Sequence, residues 1–443
     1  MALTGLQIFK LLPKTNCKKC GMPTCLAFAM ALAQKKTELD KCPDASEEAK
    51  NSLADASAPP MKLIKFGKGD AEVQIGQETV MFRHDEKFHN ESIVAVSISD
   101  SLTGDALTQR IEAVNALKFE RIGTKIQVNA VAVTNDSGDA NTFASAAETI
   151  GSSCGLATIL CSESADALTA ALAKVADSVP LIGPATTDNA EQVAKIAAEN
   201  KCPVIARSDS VEGLAELTEK INAGGTENIV LSLSGDLKSK LYGLSQLRNL
   251  ALKKSFRPLG YPVISCVQEG TDDDQAVEAI SLICKYSGIV VVETVAPHAV
   301  LPMLTAIMNI FTDPQKPVQV EPKLYAIGEV TKDSPLMFTT NFSLTYYTVE
   351  SDVESSRVPS YILVVDTEGT SVLTAYSGDK LNEKTVADAM TKCNVESLLN
   401  HKKLVIPGYV AVMSGKLEEA TGWEVLVGPR ESSMLGKYLQ EAI

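Results

Sequence analysis

The stretch IVAVSISDSLTGDALTQRIEAVNALKFERIGTKIQVNAVAV (93–133) holds an apolar, β-branched run, an amphipathic stretch with helical spacing, and a second apolar run. The alternation continues downstream. Apolar runs stand at IVAVSIS (93–99), IQVNAVAV (126–133), LATILC (156–161), PLIGPA (180–185), PVIARS (203–208), IVLSLS (229–234), PVISCV (262–267) and GIVVVET (288–294). Between them lie helical stretches such as SADALTAALAKVA (164–176), NAEQVAKIAAEN (189–200), VEGLAELTEKINA (211–223) and DDDQAVEAISLICKY (272–286). A strand that reads as an unbroken apolar run is covered on both faces, the state of a parallel strand flanked by helices. Eight evenly spaced βα units predict a closed (β/α)8 TIM barrel over residues 93–315, in preference to an open doubly wound sheet.

Barrel chemistry gathers at the C-terminal strand ends. These offer Ser99, Asp100, Thr134, Asp136, Thr186, Asp188, Ser208, Asp209, Gln268, Glu269 and Glu293, with His298 just beyond. Ser and Asp directly after a strand are also the ordinary N-caps of the next helix. With no metal-ligand cluster or phosphate-cradling glycine loop beside them, the barrel reads as scaffold and docking surface, without catalytic residues of its own.

Upstream, residues 59–92 read as a β-rich connector with candidate strands EVQIG (72–76) and TVMF (79–82). Residues 1–58 form a head whose four cysteines run C-x2-C-x4-C-x16-C through NCKKCGMPTC (16–25) and DKCPDA (40–45). A cubane cluster takes four thiolates, three from a short loop and one from a distance. Gly21 and Pro23 turn the loop, and CLAFAMALAQKK (25–36) has helical spacing, so Cys25 opens a helix whose N-terminal dipole favours an anionic group. Structural zinc usually shows paired cysteines in both halves, or histidines, and this head has neither. The pattern therefore points to a [4Fe-4S] cluster on Cys17, Cys20, Cys25 and Cys42. Lys14, Lys18 and Lys19 flank the ligands and read as solvated lysines. The scattered Cys154, Cys161, Cys202, Cys266, Cys284 and Cys393 read as buried small hydrophobes, and SEEAKNSLADASAPPM (46–61) as a linker.

Downstream, residues 325–443 form another α/β segment, read as doubly wound. Its candidate strands are LMFTT (336–340), YILVVD (361–366), SVLTAY (371–376), KLVIP (403–407) and EVLVG (424–428). Candidate helices are NEKTVADAMTKC (382–393), VAVMSGKLEEATG (410–422) and ESSMLGKYLQEAI (431–443). Three polar stretches fall at strand ends, TTNFSLTYY (339–347), DTEGTS (366–371) and VGPRES (427–432), and together suggest a pocket for a large neutral ligand rich in hydrogen-bonding groups.

The chain has 443 residues, 45% hydrophobic and 22% charged, with no apolar run of the ~18 residues that span a bilayer. A net charge of −14 disfavours general affinity for nucleic acid or anionic membrane. The head carries +2, leaving −16 on the rest. The start MALTGLQIFK has no signal-peptide pattern, so a cytoplasmic location with reduced thiols is expected.

The segments LPKTNCKKCGMPTCLAFAMALA (12–33), FRHDEKFHNE (82–91), TTNFSLTYY, DTEGTSVLTAYSGDK (366–380) and TGWEVLVGPRE (421–431) resemble the large (gamma) subunits of the corrinoid iron-sulfur proteins of the acetyl-CoA pathway, along the whole chain. The resemblance implies a methyl carrier with a corrinoid in the C-terminal domain. It would accept a methyl group from methyltetrahydrofolate, through a partner methyltransferase, and deliver it to the nickel centre of acetyl-CoA synthase. The cluster would reduce Co(II) to Co(I). It implies four partners: a small subunit completing a heterodimer, the methyltransferase, carbon monoxide dehydrogenase/acetyl-CoA synthase, and a low-potential electron donor such as ferredoxin. Catalysis would then belong to the assembly, with no independent activity of this chain. Corrinoid contacts carried over are Thr340, Asn341, Tyr346, Gly369, Thr370, Ser371, Val372, Leu373, Thr374, Gly408, Gly428 and Pro429. Many methyl-carrying corrinoid domains place a histidine beneath the metal through D-x-H-x-x-G, and this motif is missing. The four histidines are His84, His89, His298 and His401, none in the pocket stretches. A base-off, cobalamin-type corrinoid with no protein ligand on cobalt is expected. The alternative is an iron-sulfur activator that reduces another protein's corrinoid.

Overall fold

The computed structural model describes residues 5–33, 37, 41–46, 59–268 and 270–442. Two compact units emerge, Met1–Phe119 with Ile126–Phe311, and Glu120–Lys125 with Thr312–Ile443. None of the described helices is long and apolar enough to cross a membrane.

The head consists of α1 (Gly5–Leu11) and α2 (Cys25–Ala33). Ile8, Leu12, Phe28 and Ala29 bury together with Cys25, Cys42 and Ala45. Glu269 and residues 34–36 and 47–58, which include most of the expected linker, lie outside the described residues.

The barrel follows a hairpin of β1 (Leu63–Phe66) and β2 (Val73–Gly76). Its elements are β3 (Ile93–Ser99), α3 (Gly104–Asn115), then a hairpin of β4 (Lys118–Arg121) and β5 (Thr124–Gln127), β6 (Ala130–Thr134), α4 (Ala140–Cys154), β7 (Ala157–Cys161), α5 (Ala165–Val175), β8 (Leu181–Ala185) and α6 (Ala190–Asn200). It continues through β9 (Val204–Ser208), α7 (Val211–Ala223), β10 (Ile229–Leu233), α8 (Leu237–Leu252), β11 (Val263–Cys266), α9 (Asp272–Cys284), β12 (Ile289–Val292) and α10 (Pro297–Phe311). The eight strands β3 and β6 to β12 close in chain order, β12 pairing with β3 in parallel, as the eight-fold alternation predicts.

Side chains alternate across each strand. Val94, Val96, Val131 and Val133 face the helices, where Phe143, Leu168 and Val193 meet them. Ala95, Ala132, Ile159, Ile205, Val230 and Ile289 fill the interior, joined by Ile64, Phe66 and Ile75 of the β1–β2 hairpin. That hairpin bonds to segments just before the strands: Lys62 N–H donates to Gly260 O (2.8 Å) and Gly67 N–H to Val179 O (2.9 Å). It therefore plugs the N-terminal mouth and leaves the C-terminal end open.

The second unit has β13 (Leu324–Ile327), β14 (Leu336–Thr340), α11 (Ser343–Ser356), β15 (Ser360–Val365), α12 (Val372–Ser377), α13 (Glu383–Lys392), α14 (Val395–Leu398), β16 (Lys403–Ile406), α15 (Ser414–Thr421), β17 (Glu424–Val427) and α16 (Leu435–Ala442). The sheet order is β13-β15-β14-β16-β17, parallel except for the antiparallel edge β13. Tyr346, Val353, Leu435 and Leu439 of α11 and α16 cover one face. Ala375, Val386, Met390 and Leu417 of α12, α13 and α15 cover the other.

Four sequence expectations are corrected. SVLTAY is the short helix α12, not a strand, because both edges of β15 are already taken by β13 and β14. TVMF is irregular: Arg248 binds the Val80 carbonyl (2.7 Å) and pins this segment to α8. IQVNAVAV divides between the hairpin strand β5 and the barrel strand β6. Cys266 and Cys284 are exposed, since one ends β11 at the open rim and the other ends α9. Burial does push Cys202 up to about 11 and Cys161 up to about 12. All ten cysteines are free of disulfides.

Arg248 also pairs with Glu78 at 3.3 Å, both buried, between the rings of Phe88 (5.1 Å) and Tyr286 (4.9 Å). Removing one partner of a buried pair costs about 3–5 kcal/mol because the other charge is left stranded. Urea denaturation should register that loss for Arg248→Met, and a much smaller one when Glu78→Leu is added.

Candidate functional site

The head builds its site from a capped helix and a tightly wound loop. Thr24 caps α2, its Oγ1 accepting from Ala27 N–H at 3.1 Å, which sets Cys25 at the positive end of the helix. Asn16 grips Cys25 twice: Oδ1 accepts from Cys25 N–H (2.8 Å), and Asn16 N–H donates to Cys25 Sγ (3.4 Å). Lys14, Asn16, Lys18 and Gly21 have φ of 59°, 50°, 61° and 80°. Three of these carry side chains in a conformation that favours glycine, so the loop holds a curvature that local preference opposes.

Cys25 and Cys42 are buried, Cys20 is half-buried and Cys17 exposed. Burial raises the Cys42 thiol, and the charges of Cys20, Cys17 and Cys25 raise it further, so the four sulfurs feel one another. Among the described residues no three His, Cys, Asp or Glu side chains stand close enough to share a single metal ion. A cubane binds each thiolate to a different iron, and the all-cysteine donor set suits such a cluster.

The second unit contains a cavity of ≈ 380 Å³ at the carboxyl ends of β14 and β16. These neighbours send their chains in opposite directions, β14 to β15 and β16 to β17, which makes this the topological switch point of the sheet. Met337, Phe338, Val405 and Ile406 form an apolar floor. Leu344, Thr345, Thr348 and Val349, one face of α11, form a wall. Thr339 lines the cavity at 1% exposure, and its Oγ1 has no hydrogen-bond partner.

Of the expected contacts, Ser371, Val372, Leu373, Gly428 and Pro429 line this cavity. Thr340 is fully buried at the end of β14, its hydroxyl also without a partner. Asn341 lies behind the wall as a tie. Its Oδ1 accepts from Thr367 N–H (2.9 Å), Thr367 O–H (3.0 Å) and Gly369 N–H (2.9 Å), and its Nδ2 donates to Asp366 (3.0 Å) and Gln319 (3.2 Å). Gly369 has φ of 72°, and a Cβ there would sit 2.7 Å from Gln319 Cγ, so only glycine fits. Thr370 bonds back to Thr367 O, and Thr374 accepts from Ser371 O–H. Gly408 packs on the next loop, its N–H donating to Pro429 O (3.1 Å). Tyr346 is in the core between Tyr325 (4.6 Å) and Tyr347 (5.1 Å), with its O–H on Glu350 (2.8 Å); burial holds its phenol well above the usual range.

The three polar stretches thus converge on the cavity, two of them tied together by Asn341 and the third held by Gly408 to the loop after β16. Sequence reasoning took in Leu344 and Thr345 within TTNFSLTYY but missed Thr348, Val349 and the helix that carries all four. Its signal was present as spacing, since residues 344, 345, 348 and 349 repeat at one helical turn.

At the open end of the barrel, Asp100 accepts from Asp136 N–H, Ser137 N–H and Ser137 O–H, while Asp139, Ser164, Ser210, Asp236 and Thr271 cap helices. Asp100 is a loop tie, and its neighbours serve the backbone.

Residues 63–439 match the family described as CO dehydrogenase/acetyl-CoA synthase delta subunit. Residues 12–43 match a second family, whose description names an Fe-S cluster. The chain is 44% identical to the corrinoid/iron-sulfur protein large subunit of Moorella thermoacetica, over 98% of this chain and 97% of that protein. It is 35% identical to the acetyl-CoA decarbonylase/synthase complex subunit gamma of Methanothermobacter thermautotrophicus, over 100% and 99% of the two. The gamma subunit of Methanopyrus kandleri is 34% identical over 99% and 98%. The chain belongs to this family of corrinoid/iron-sulfur large and acetyl-CoA decarbonylase/synthase gamma subunits, as the quoted motifs implied.

Asn341→Ala would strand two buried backbone donors, each costing about 1–3 kcal/mol. A drop in stability of that order by chemical denaturation is expected, and an unchanged midpoint would remove Asn341 from its role as tie.

Proposed function

We propose that this chain is a methyl-carrying subunit that holds a base-off, cobalamin-type corrinoid in the switch-point cavity and a [4Fe-4S] cluster on Cys17, Cys20, Cys25 and Cys42. The observation that carries the reading is Thr339, a buried hydroxyl without a protein partner at the wall of the cavity. Burying such a group unpaired is costly, and a ligand rich in amides supplies the missing bond. When bound, the corrinoid's cobalt supplies a nucleophile that takes up and releases a methyl group, and the cluster supplies low-potential electrons.

This chain's own residues do the holding. Met337, Phe338, Val405 and Ile406 would offer the corrinoid an apolar floor, Thr339 and Ser371 would offer hydroxyls to its polar groups, and Val372 and Leu373 would add apolar contact. Thr340, Asn341, Tyr346, Gly369, Thr370, Thr374 and Gly408 support these surfaces from behind, and Gly428 and Pro429 close the far side. Among the described residues no imidazole lines the cavity. His401 uses Nε2 on Ser334 O (2.9 Å) and Nδ1 on Lys403 N–H (3.2 Å), which supports cobalt free of a protein ligand.

The rim leaves Leu344, Leu373 and Tyr409 exposed, apolar surface suited to a covering small subunit. The names of the relatives support assembly with an acetyl-CoA decarbonylase/synthase complex; on this proposal methyltetrahydrofolate is the methyl source through a methyltransferase, and a ferredoxin-like protein is the electron donor. The segments 1–58, 59–92, 93–315 and 325–443 then act as cluster carrier, connector, scaffold and methyl carrier in the cytoplasm.

Purified under anaerobic conditions with its small subunit, the protein should show a corrinoid absorption band beside the broad cluster band. A cluster band alone would favour an activator of another protein's corrinoid. Electron paramagnetic resonance of the Co(II) state should lack nitrogen superhyperfine splitting, and its presence would sink the base-off assignment. Cys20→Ala should abolish reductive reactivation while protein reduced beforehand still transfers methyl; equal loss of both would refute the division of labour.

A further inference from the structure

Three of the four cysteines lie within nine residues and are held by local bonds, Gly21 N–H to Lys18 O (3.0 Å) and the double grip of Asn16 on Cys25. Cys42 follows Cys25 after sixteen intervening residues and brings Asp44 with it. Lys19 stands between Cys17 and Cys20, and its Nζ reaches both carboxylate oxygens of Asp44, at 3.0 and 3.1 Å, across 25 positions of sequence. One carboxylate, two residues past Cys42, thus joins the loop's lysine to the segment of the last ligand.

We propose that Lys19 and Asp44 form a clasp that holds the closing ligand Cys42 against the three-cysteine loop and balances charge beside the cluster. The inference rests on the cluster reading above. A cluster held by four thiolates is anionic, and Lys19 offsets the further negative charge that Asp44 brings beside it. Both residues are positioning residues, since neither touches iron. The pair is open to solvent, Lys19 at 58% and Asp44 at 33% side-chain exposure, so its effect is modest and screened by salt.

The test uses the full chain, reconstituted with iron and sulfide, and follows iron release to a chelator in low salt. Lys19→Met and Asp44→Asn should each release iron roughly two- to fivefold faster than the natural chain. Exchange of the pair, Lys19→Asp with Asp44→Lys, should restore the natural rate, and high salt should shrink the differences. The midpoint potential supplies a readout that loosened packing would not move in this way. Asp44→Asn removes a negative charge and should raise it, whereas Lys19→Met should lower it. Single variants at the natural release rate, an exchanged pair no slower than the singles, or potentials shifting in one direction would overturn the clasp. Failure of the natural chain to take up iron would instead remove the cluster reading, and the clasp with it.

Discussion

A parallel strand has to be covered on both faces, and both sheets of this molecule are arranged around that requirement. In the barrel, Val94 and Val96 need helices outside while Ala95 needs partners inside. The interior is closed from below by Ile64, Phe66 and Ile75, because alanines at several inward positions leave room that the barrel strands alone do not fill. In the second unit the same requirement puts α11 and α16 on one face and α12, α13 and α15 on the other. The antiparallel β13 ends the sheet at an edge.

Where the strands stop, the requirement changes from burying apolar surface to finding partners for polar groups. Asp100 meets it in the barrel and Asn341 in the second unit, each by gathering the N–H groups of a neighbouring loop. Neither end satisfies every group among the described residues: Asn135 Oδ1 beside Asp136 in the barrel, and the hydroxyls of Thr339 and Thr340 in the second unit, are buried without partners. Only in the second unit does such a group, Thr339, line the cavity at the switch point.

The barrel was legible because burial on two faces writes itself as eight unbroken apolar runs. The cysteine head was legible because four identical donors at uneven spacing have few other uses. SVLTAY misled because β-branched and aromatic residues favour strands, whereas it follows directly on β15, whose two edges are already paired with β13 and β14. The helix Ser343–Ser356 was hidden for the related reason that SLTYYTVESDVESS mixes tyrosines and threonines with acids and buries only Ser343, Tyr346, Val353 and Ser356. The site was legible as three polar stretches but not as a shape. Asn341 was expected as a ligand contact, and the meeting of residues 341, 366, 367 and 369 in space gives it a further role as a tie that the sequence did not show. Thr339 became conspicuous once it was seen to be buried and unpaired.

The plug of the barrel also constrains how the chain can be made. Phe66 and its neighbours are synthesised before every barrel strand, yet the groups that hold them belong to segments near Val179 and Gly260. The Ser92 hydroxyl waits for Ser287, 195 positions later. Contacts this distant are slow to form because a long loop must close before any of them is gained. An apolar hairpin therefore emerges from the ribosome well ahead of its cage. At the usual 5–20 residues per second it spends about 10–40 s without that partner, an interval in which a chaperone, or aggregation, can claim it.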